Sequence, residues 1–451
     1  MALARRMLPA LLTLTALAGA AALPASAIAD PPWTAPSTIP GAAPGVTPLT
    51  ITASGHGVAL AGADRSGNAP AGAASELVPL GLDGRPSGPT RGLTIAAAQL
   101  ATYAGDRVVV AGSTLDARGT ISDSSHVQVA FGSASGALGT LRGLTHSTGE
   151  RVFALASDAA GDIAVVTGNL GRRRLWVRRP GSSTFRVALT IPVSSRARDA
   201  TVGVGPRGDV LVVWEDSHHI FTRHIGRTGH AGTRFQVGDG VQSRLQAAID
   251  GSGRELVAWA SQRVDEGESA TPATVFFATA APGHGFGTAR RLEAAAATGG
   301  AALVSAPAVR LVVGPGDATV LSFNGLDGSR EVVRAAAVSG GHVGAPQVVS
   351  DPARDAVLGD VAVGRSGSAV VLWRAPAPGA DPASAPTAVL ASVRPAEGRP
   401  FAPLEAVTPA GVQVPVAPTV AADPAGGGAL ALLPTIAPNG LQVSARPSLG
   451  G

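Results

Sequence analysis

The chain has 451 residues, of which 45% are hydrophobic and only 4% aromatic, and its formal net charge is +4 at pH 7. It contains no cysteine, and all 35 of its basic residues are arginine. These counts exclude disulfides, thiolate nucleophiles, thiolate zinc sites and lysine chemistry, and the small net charge gives no argument for nucleic acid or an anionic membrane as partner.

The first residues predict a secretory signal peptide. Arg5 and Arg6 precede a long apolar run, and the small residues up to Ala27 have the spacing of a cleavage site. We therefore assign residues 1–27 to the signal peptide and 28–451 to the mature protein. The paired arginines leave Tat export open beside general secretion. The expected location is extracellular or in the cell envelope, with no membrane span.

One pattern repeats along the rest of the chain. In 204–214 an apolar strand, a glycine turn and a second apolar strand that ends in tryptophan follow one another, and the same order returns in 249–259 and 363–373. The turn occurs eight times, at Gly57, Gly105, Gly161, Gly208, Gly253, Asp317 in place of glycine, Gly367 and Gly427. The repeats begin near residues 44, 93, 150, 197, 242, 298, 354 and 412.

Each repeat predicts four strands, because a variable loop, an alternating third strand and a short fourth strand follow the second strand. This pattern indicates an all-β fold, a single β-propeller of four-stranded antiparallel blades. Eight blades are expected, with seven as the alternative if the first or last repeat is degenerate. Trp214, Trp259, Phe323 and Trp373 share one position in the second strands, which favours aromatic wedges between blades over a ligand-stacking role.

The two ends of the chain are predicted to complete one blade together. The last repeat stops after its third strand, 441–446, while 32–41 is similar to the fourth strands of other repeats. We therefore expect 32–41 to pair with the last repeat and to close the ring, which removes an open sheet edge.

These repeats resemble those of secreted bacterial proteins, mostly uncharacterised, whose β-propellers are grouped with sialidase-like or WD40-like folds. The resemblance covers 32–451 and implies the fold, but propellers host hydrolases, lyases, glycan binders and scaffolds alike. A sialidase would need a tyrosine nucleophile, and the one tyrosine, Tyr103, lies at the end of a first strand. The Asp-box of that family is also missing.

A run of arginines interleaved with an aromatic is the densest charge in the chain. It has two interpretations: a site that binds a polyanion such as an acidic polysaccharide, or a solvated third strand of the third blade. The residues concerned are Arg172, Arg173, Arg174, Trp176, Arg178 and Arg179.

The loops between second and third strands are long and variable, and in a propeller they share one face with the connections between blades. We call this the loop face, and we place the ligand-binding site there because variable loops on a rigid scaffold carry function. The candidate residues are Asp64, Asp116, Asp123, Glu215, Asp216, His218, Asp265, Glu266, Glu268 and Asp327. His218, His224 and Glu215 match no established ligand spacing, so neither a metal nor a cofactor is predicted.

The sequence therefore predicts a secreted, monomeric binding or scaffold module that recognises a carbohydrate or an extracellular protein, with no nucleic acid as partner and no catalytic residues. The alternative is a polysaccharide-active glycosidase or lyase that uses two carboxylates in the central funnel. A purely structural envelope protein is the third possibility.

Overall fold

The computed structural model describes residues 32–40, 42–43, 48–63, 74–116, 121–146, 149–194, 197, 199–240, 244–261, 274–294, 308–377, 387–409, 412–435 and 440–450. Residues Trp33–Gly451 form one compact unit. Among the described residues no helix has the length and hydrophobicity that a membrane span requires.

The described residues form eight antiparallel sheets, which are the blades, and in blades 1 to 7 the strands follow chain order from the centre outwards. The first strand of the chain, β1 (Ser37–Ile39), belongs to the last blade. Blades 1 to 4 contain β2 (Ala42–Ala43), β3 (Leu49–Ile51), β4 (Gly57–Ala63), β5 (Ser75–Leu80) and β6 (Arg91–Leu93); β7 (Ile95–Tyr103), β8 (Arg107–Thr114), β9 (Val127–Ser133) and β10 (Arg142–Gly143); β11 (Arg151–Ser157), β12 (Ile163–Asn169), β13 (Arg172–Arg178) and β14 (Arg186–Pro192); and β15 (Ala200–Val204), β16 (Val210–Asp216), β17 (His219–Ile225) and β18 (Ala231–Asp239).

Blades 5 to 8 have the same arrangement, with an outer strand in two pieces in blade 6. They contain β19 (Arg244–Ile249), β20 (Glu255–Ser261), β21 (Thr274–Ala280) and β22 (Arg290–Ala294); β23 (Val309–Val313), β24 (Thr319–Asp327), β25 (Arg330–Ser339), β26 (His342–Val343) and β27 (Gln347–Val348); β28 (Val357–Val363), β29 (Ala369–Pro376), β30 (Thr387–Arg394) and β31 (Glu405–Ala406); and β32 (Thr419–Ala422), β33 (Ala429–Pro434), β34 (Leu441–Arg446) and β1.

The blades close into a ring around a central channel. The inner strands contact one another in chain order, and β32 of blade 8 contacts β3 of blade 1. A hydrophobic cluster of described residues fills each of the eight interfaces between neighbouring blades. The eight-bladed propeller is thus confirmed, and the seven-bladed alternative is wrong.

The second strand of each blade is almost wholly buried because neighbouring blades cover both of its faces. In blade 5 every residue of β20 except Ser261 is buried. Trp259 of this strand packs among residues of blades 4 and 5 and stacks on Phe276 at 5.2 Å between ring centroids. The repeated aromatic position is therefore a wedge between blades, as predicted.

Two wedges differ in one hydrogen bond, which allows a matched test. The Nε1 of Trp259 donates to the backbone oxygen of Asp239 at 3.2 Å, whereas the buried Nε1 of Trp373 has no partner in the described part of the chain. We expect Trp259→Phe to destabilise the fold by about 1 kcal/mol more than Trp373→Phe, since only Trp259→Phe leaves a carbonyl unpaired. Denaturant unfolding of the two variants measures this, and equal losses would contradict it.

The turn between first and second strands has a residue of positive φ near its end in each of the eight blades. Asp317 takes this position in blade 6 with φ 72°, as its alignment with the glycines implied. In blades 1 and 8, however, the positive-φ residues are Gly55 and Gly426, so the sequence alignment on Gly57 and Gly427 was wrong there. Gly57 instead begins β4.

The N-terminal segment completes the last blade, as the sequence predicted. β1 pairs antiparallel with β34, with Ile39 opposite Leu441, and Ile39 is buried in the interface between blades 8 and 1. The ring of Trp33 is buried between blades 7 and 8, and its Nε1 donates to Glu405 at 3.0 Å. Arg446 on β34 binds both oxygens of the same carboxylate at 3.0 Å. The segment thus joins three blades.

Candidate functional site

Four of the acidic candidates lie outside the described residues: Asp64, Asp265, Glu266 and Glu268. Of the others, Asp116 is half-buried at the end of the described part of its loop, and Asp327 is exposed at the end of β24. Neither lines a described cavity. Asp123 lies in one, which is described below.

Glu215, Asp216 and His218 lie at a tight hairpin rather than on a long loop. Ser217 and His218 join β16 to β17 with φ of 49° and 73°, while Glu215 is buried in the strand. Asp216 accepts a backbone hydrogen bond from Ser194 at 2.9 Å.

His218 does not join His224 in a metal site. The Nδ1 of His224 lies 2.5 Å from Glu255 of the next blade, and this hydrogen bond raises the pKa of His224. Within the described part of the chain no three histidine or carboxylate side chains are grouped as metal ligands.

The arginine run lies on β13, the third strand of blade 3, and its side chains contact other parts of the fold. Arg172 and Arg174 pair with the fully buried Glu150 at 3.2 and 3.0 Å. Arg173 is buried and donates to backbone oxygens of neighbouring segments, among them Ala197 at 3.0 Å. Trp176 donates to Thr167 at 2.9 Å.

The other two arginines of the run also have internal partners. The guanidinium of Arg178 lies over Phe131, 4.7 Å from the ring centroid. Arg179 pairs with Asp162 at 3.0 Å and donates to the backbone oxygens of Gly208 and Gly226 in blade 4. A polyanion would therefore compete with contacts inside the protein, and polyanion binding by this run stays a prediction.

A cleft of about 580 Å³ opens on the loop face between blades 2 and 3. Asp123, which the sequence singled out for its loop, and Arg173, which it singled out for its charge, meet there. The described lining is Ile121, Ser122, Asp123, Gly149, Arg151, Asn169, Leu170, Gly171 and Arg173. The loop after β8, the connection between the blades and the turn after β12 supply these residues.

The cleft combines positive charge with exposed aliphatic groups. The side chains of Arg151 and Arg173 lie over the ring of Phe153, at 4.7 and 3.9 Å from its centroid. Burial, and then the charge of Arg151, lower the pKa of Arg173 to about 10. Leu170 and Ile121 are 72% and 42% exposed, although most aliphatic side chains of this size are buried in the fold. An anionic group beside Arg151 would relieve the repulsion between the two guanidiniums.

The central channel carries a second set of polar groups, at one register position of four inner strands. In blades 4 to 7, the residue just before the aromatic wedge on the second strand pairs with a polar residue on the inner strand. These inner-strand residues are Thr201, Gln246, Arg310 and Asp360. Their neighbours along the strands point into the blade interfaces, as Ala200, Leu245 and Val309 do. Successive side chains of a strand alternate between faces, so the polar residues lie on the other face of the inner strands. Thr201, Gln246 and Arg310 line one cavity of the channel, and Asp360 contacts Arg310 beside it.

A channel cavity of about 270 Å³ is lined by residues from five consecutive blades, among them Gln99, Asp199, Thr201, Arg244, Gln246 and Arg310. The two carboxylates here hold inner strands together. Asp199 accepts backbone hydrogen bonds from Ala200 and Leu245, and Asp360 accepts one from Val420 and pairs with Arg310 at 3.3 Å. Burial raises the pKa of both carboxyls.

Other groupings with catalytic residue types lack the geometry for catalysis. Ser54, His56 and Asp106 meet at the turns of blades 1 and 2, on the face opposite the loop face. Ser54 and Asp106 both approach the same ring nitrogen, the Nδ1 of His56, so no serine–histidine–aspartate relay forms. Tyr103 is 5% exposed and packs edge-on against Phe131, so it cannot serve as a nucleophile in this conformation.

Sequence reasoning missed Arg151, Leu170 and the channel residues. The channel had a readable signal: a polar residue recurs inside otherwise apolar first strands, as at Gln246 and Arg310. The cleft had none, because its two sides come from different blades.

The protein is thus an eight-bladed β-propeller with a cleft on its loop face and a polar central channel. No protein-family model and no curated protein matches the sequence. Among solved structures it is similar to the Dos1 propeller, with a TM-score of 0.49 and 7% identity over 92% of this chain and 95% of that one. It is similar to a PL25 ulvan lyase, with a TM-score of 0.42 and 10% identity over 76% and 90% of the two chains. YCF48 bound to D1 peptide matches with a TM-score of 0.38 and 10% identity over 77% and 90%.

Proposed function

We propose that the protein is an exported, non-catalytic binding propeller that holds a segment of an extracellular protein in the cleft between blades 2 and 3. The observation that supports this most directly is the composition of the cleft. The exposed Arg151 and the buried Arg173, with one carboxylate, Asp123, lie beside two exposed aliphatic side chains in a concave space of about 580 Å³. Such a space suits a ligand that presents an acidic group next to an apolar one.

A protein segment fits this cleft better than a carbohydrate does. Sugar rings pack on flat aromatic faces, and no aromatic side chain lines the described part of the cleft. The exposed Leu170 and Ile121 offer aliphatic contact instead, and exposed apolar side chains grouped beside polar ones mark protein interaction sites. Arg151 forms no ion pair with a described residue, so its guanidinium is open to a carboxylate of the ligand.

Selection from a displayed peptide library tests this function. The mature protein, residues 28–451, is expected to enrich peptides in which Asp or Glu stands next to an aliphatic residue. For an enriched peptide, Arg151→Ser is expected to weaken binding by about tenfold or more, since a charge-assisted hydrogen bond is lost. Leu170→Ser is expected to weaken it as well.

The matched control is Leu404→Ser, at another exposed leucine, which is 38% exposed and lies outside the cleft. It should bind the peptide as the unaltered protein does. Enrichment of no acidic peptide, or equal binding by Arg151→Ser, would contradict the proposal. Glycan-array binding that survives both cleft substitutions would contradict it as well.

A polysaccharide-active enzyme is the second candidate, and one observation favours it. Asp199 and Asp360 in the channel have carboxyls whose pKa is raised by burial, as a general acid requires. Their acceptor oxygens are engaged by backbone N–H groups, which favours the non-catalytic function. Product release from a panel of polysaccharides, lost in Asp199→Asn, would instead support the enzyme.

A further inference from the structure

We propose that the central channel is a second binding site, for a small carboxylate that also carries hydroxyl groups. The site is the channel cavity of about 270 Å³, with the guanidiniums of Arg244 and Arg310 for the carboxylate and the amides of Gln99 and Gln246 for the hydroxyls. It does not depend on the function proposed for the cleft.

The hydrogen bonds of the channel cavity leave guanidinium N–H groups open to an anion. Its carboxylate, Asp199, accepts two backbone hydrogen bonds, from Ala200 at 2.9 Å and Leu245 at 3.1 Å, and acts on Arg244 electrostatically. Asp360, beside the cavity, accepts one from Val420 and pairs with the Nε of Arg310, whose Nη1 donates to the backbone oxygen of Val309. The two acids balance the charges of the two arginines, but among the described residues they accept no hydrogen bond from Arg244 and use only the Nε of Arg310, so further N–H groups of both guanidiniums remain for a ligand.

Arg244 is the donor best placed to bind a ligand. It is the first described residue of the inner strand β19, which begins at the loop face, so it stands where the channel opens. Its side chain is exposed and forms no ion pair with a described residue. A guanidinium in this position can bind a carboxylate through two parallel hydrogen bonds.

The amides extend the site beyond a simple anion. The side chain of Gln99 has no hydrogen-bond partner among the described residues, and that of Gln246 uses only its amide nitrogen, which donates to the backbone oxygen of Leu245 at 2.8 Å. Each amide therefore offers an unused acceptor to a hydroxyl group. The cavity volume of about 270 Å³ lies just below the range of about 300–1,000 Å³ that is usual for small-molecule sites, which limits the ligand to about the size of one sugar unit.

Isothermal titration calorimetry of the mature protein with glucuronate and glucose tests the proposal. The two probes share a ring and hydroxyl groups, and only glucuronate has a carboxylate. We expect saturable binding of glucuronate, and binding of glucose that is weaker by at least about tenfold. Inorganic phosphate serves as the third probe.

Arg244→Gln is expected to weaken glucuronate binding by about tenfold while the melting temperature stays that of the unaltered protein. Arg186→Gln, at an exposed arginine on the outer strand β14, is the matched control and should bind as before. No saturable binding, equal binding of glucose, or equal binding by Arg244→Gln would overturn the proposal. So would phosphate binding as tight as that of glucuronate, because that would show a general attraction of anions.

Discussion

A chain of residues 42–451 is expected to melt roughly 10 °C below a chain of residues 28–451, because the last blade then loses its outer strand. The loss includes the buried side chains of Trp33 and Ile39 and the pairing of β1 with β34. It also exposes the edge of β34 and leaves Glu405 with one partner fewer. Differential scanning calorimetry of the two chains measures the shift.

A chain that begins at Pro32 is the control, and its melting curve should coincide with that of the chain of residues 28–451. A synthetic peptide of residues 32–41 added to the shortened chain should raise its melting temperature as the peptide concentration increases, since a ligand of the folded state stabilises it. A shortened chain that melts with the full one would show that the N-terminal strand does not hold the ring.

The second large effect is expected at Glu331, as a dependence of stability on pH. Its side chain is buried, and its Oε1 has no hydrogen-bond partner among the residues that the structure describes. Burial, and then the charge of Asp355, raise the pKa of Glu331 to about 8 from the usual 4.5. The folded state therefore holds a proton between these pH values that the unfolded state has released, so stability falls as pH rises from about 4.5 to 8.

Glu331→Gln removes this ionisation and is expected to flatten the pH profile. The variant should be more stable than the unaltered protein above pH 8, by an amount on the order of 2 kcal/mol, and should show no such advantage at pH 5. Chemical unfolding at several pH values measures both. Asp327→Asn, at an exposed acid of the same blade, is the control that should keep the original profile. A profile of Glu331→Gln that runs parallel to the original would contradict the assignment.

The parts of the fold that recur were predictable from the sequence. Trp259 and Trp373 hold equivalent positions, so one physical role had to serve both, and a wedge between blades is that role. The pairing of the N-terminal segment with the last blade was predictable from strand number, because the last repeat lacks a fourth strand and the residues before the first repeat supply one.

The turns of blades 1 and 8 show where the pattern is insufficient. Alignment on glycine placed the turn residue at Gly57 in blade 1 and at Gly427 in blade 8. The hydrogen bonds within the turn, however, determine which residue takes the positive φ. In blade 8, Asp423 accepts hydrogen bonds from the N–H groups of Ala425 and Gly427, which leaves Gly426 as the residue of positive φ. An alignment on glycine alone cannot choose among three successive glycines, whereas Pro424, equivalent to Pro206 and Pro315 in other turns, places the turn residue at Gly426.

The candidate site was less predictable because it depends on contacts between blades. The density of arginines on β13 suggested a solvated or ligand-binding surface, yet the buried Glu150 takes two of them. Arg151 and Leu170 drew no attention in the sequence, since neither stands in a motif. Their proximity to Asp123 arises only when blades 2 and 3 pack together.

Because the two chain ends pair with each other, the last blade can form only after the whole chain has been made. Thr34 bonds with Ser444, a partner 410 residues later in the chain. The N-terminal segment is synthesised first, so it must wait for the last strand before the ring can close. Seven blades can form as the chain emerges, but the eighth requires full release. Early termination anywhere before β34 would therefore leave an open, unclosed arc of blades with unpaired edges, which quality-control proteases can distinguish from the finished ring.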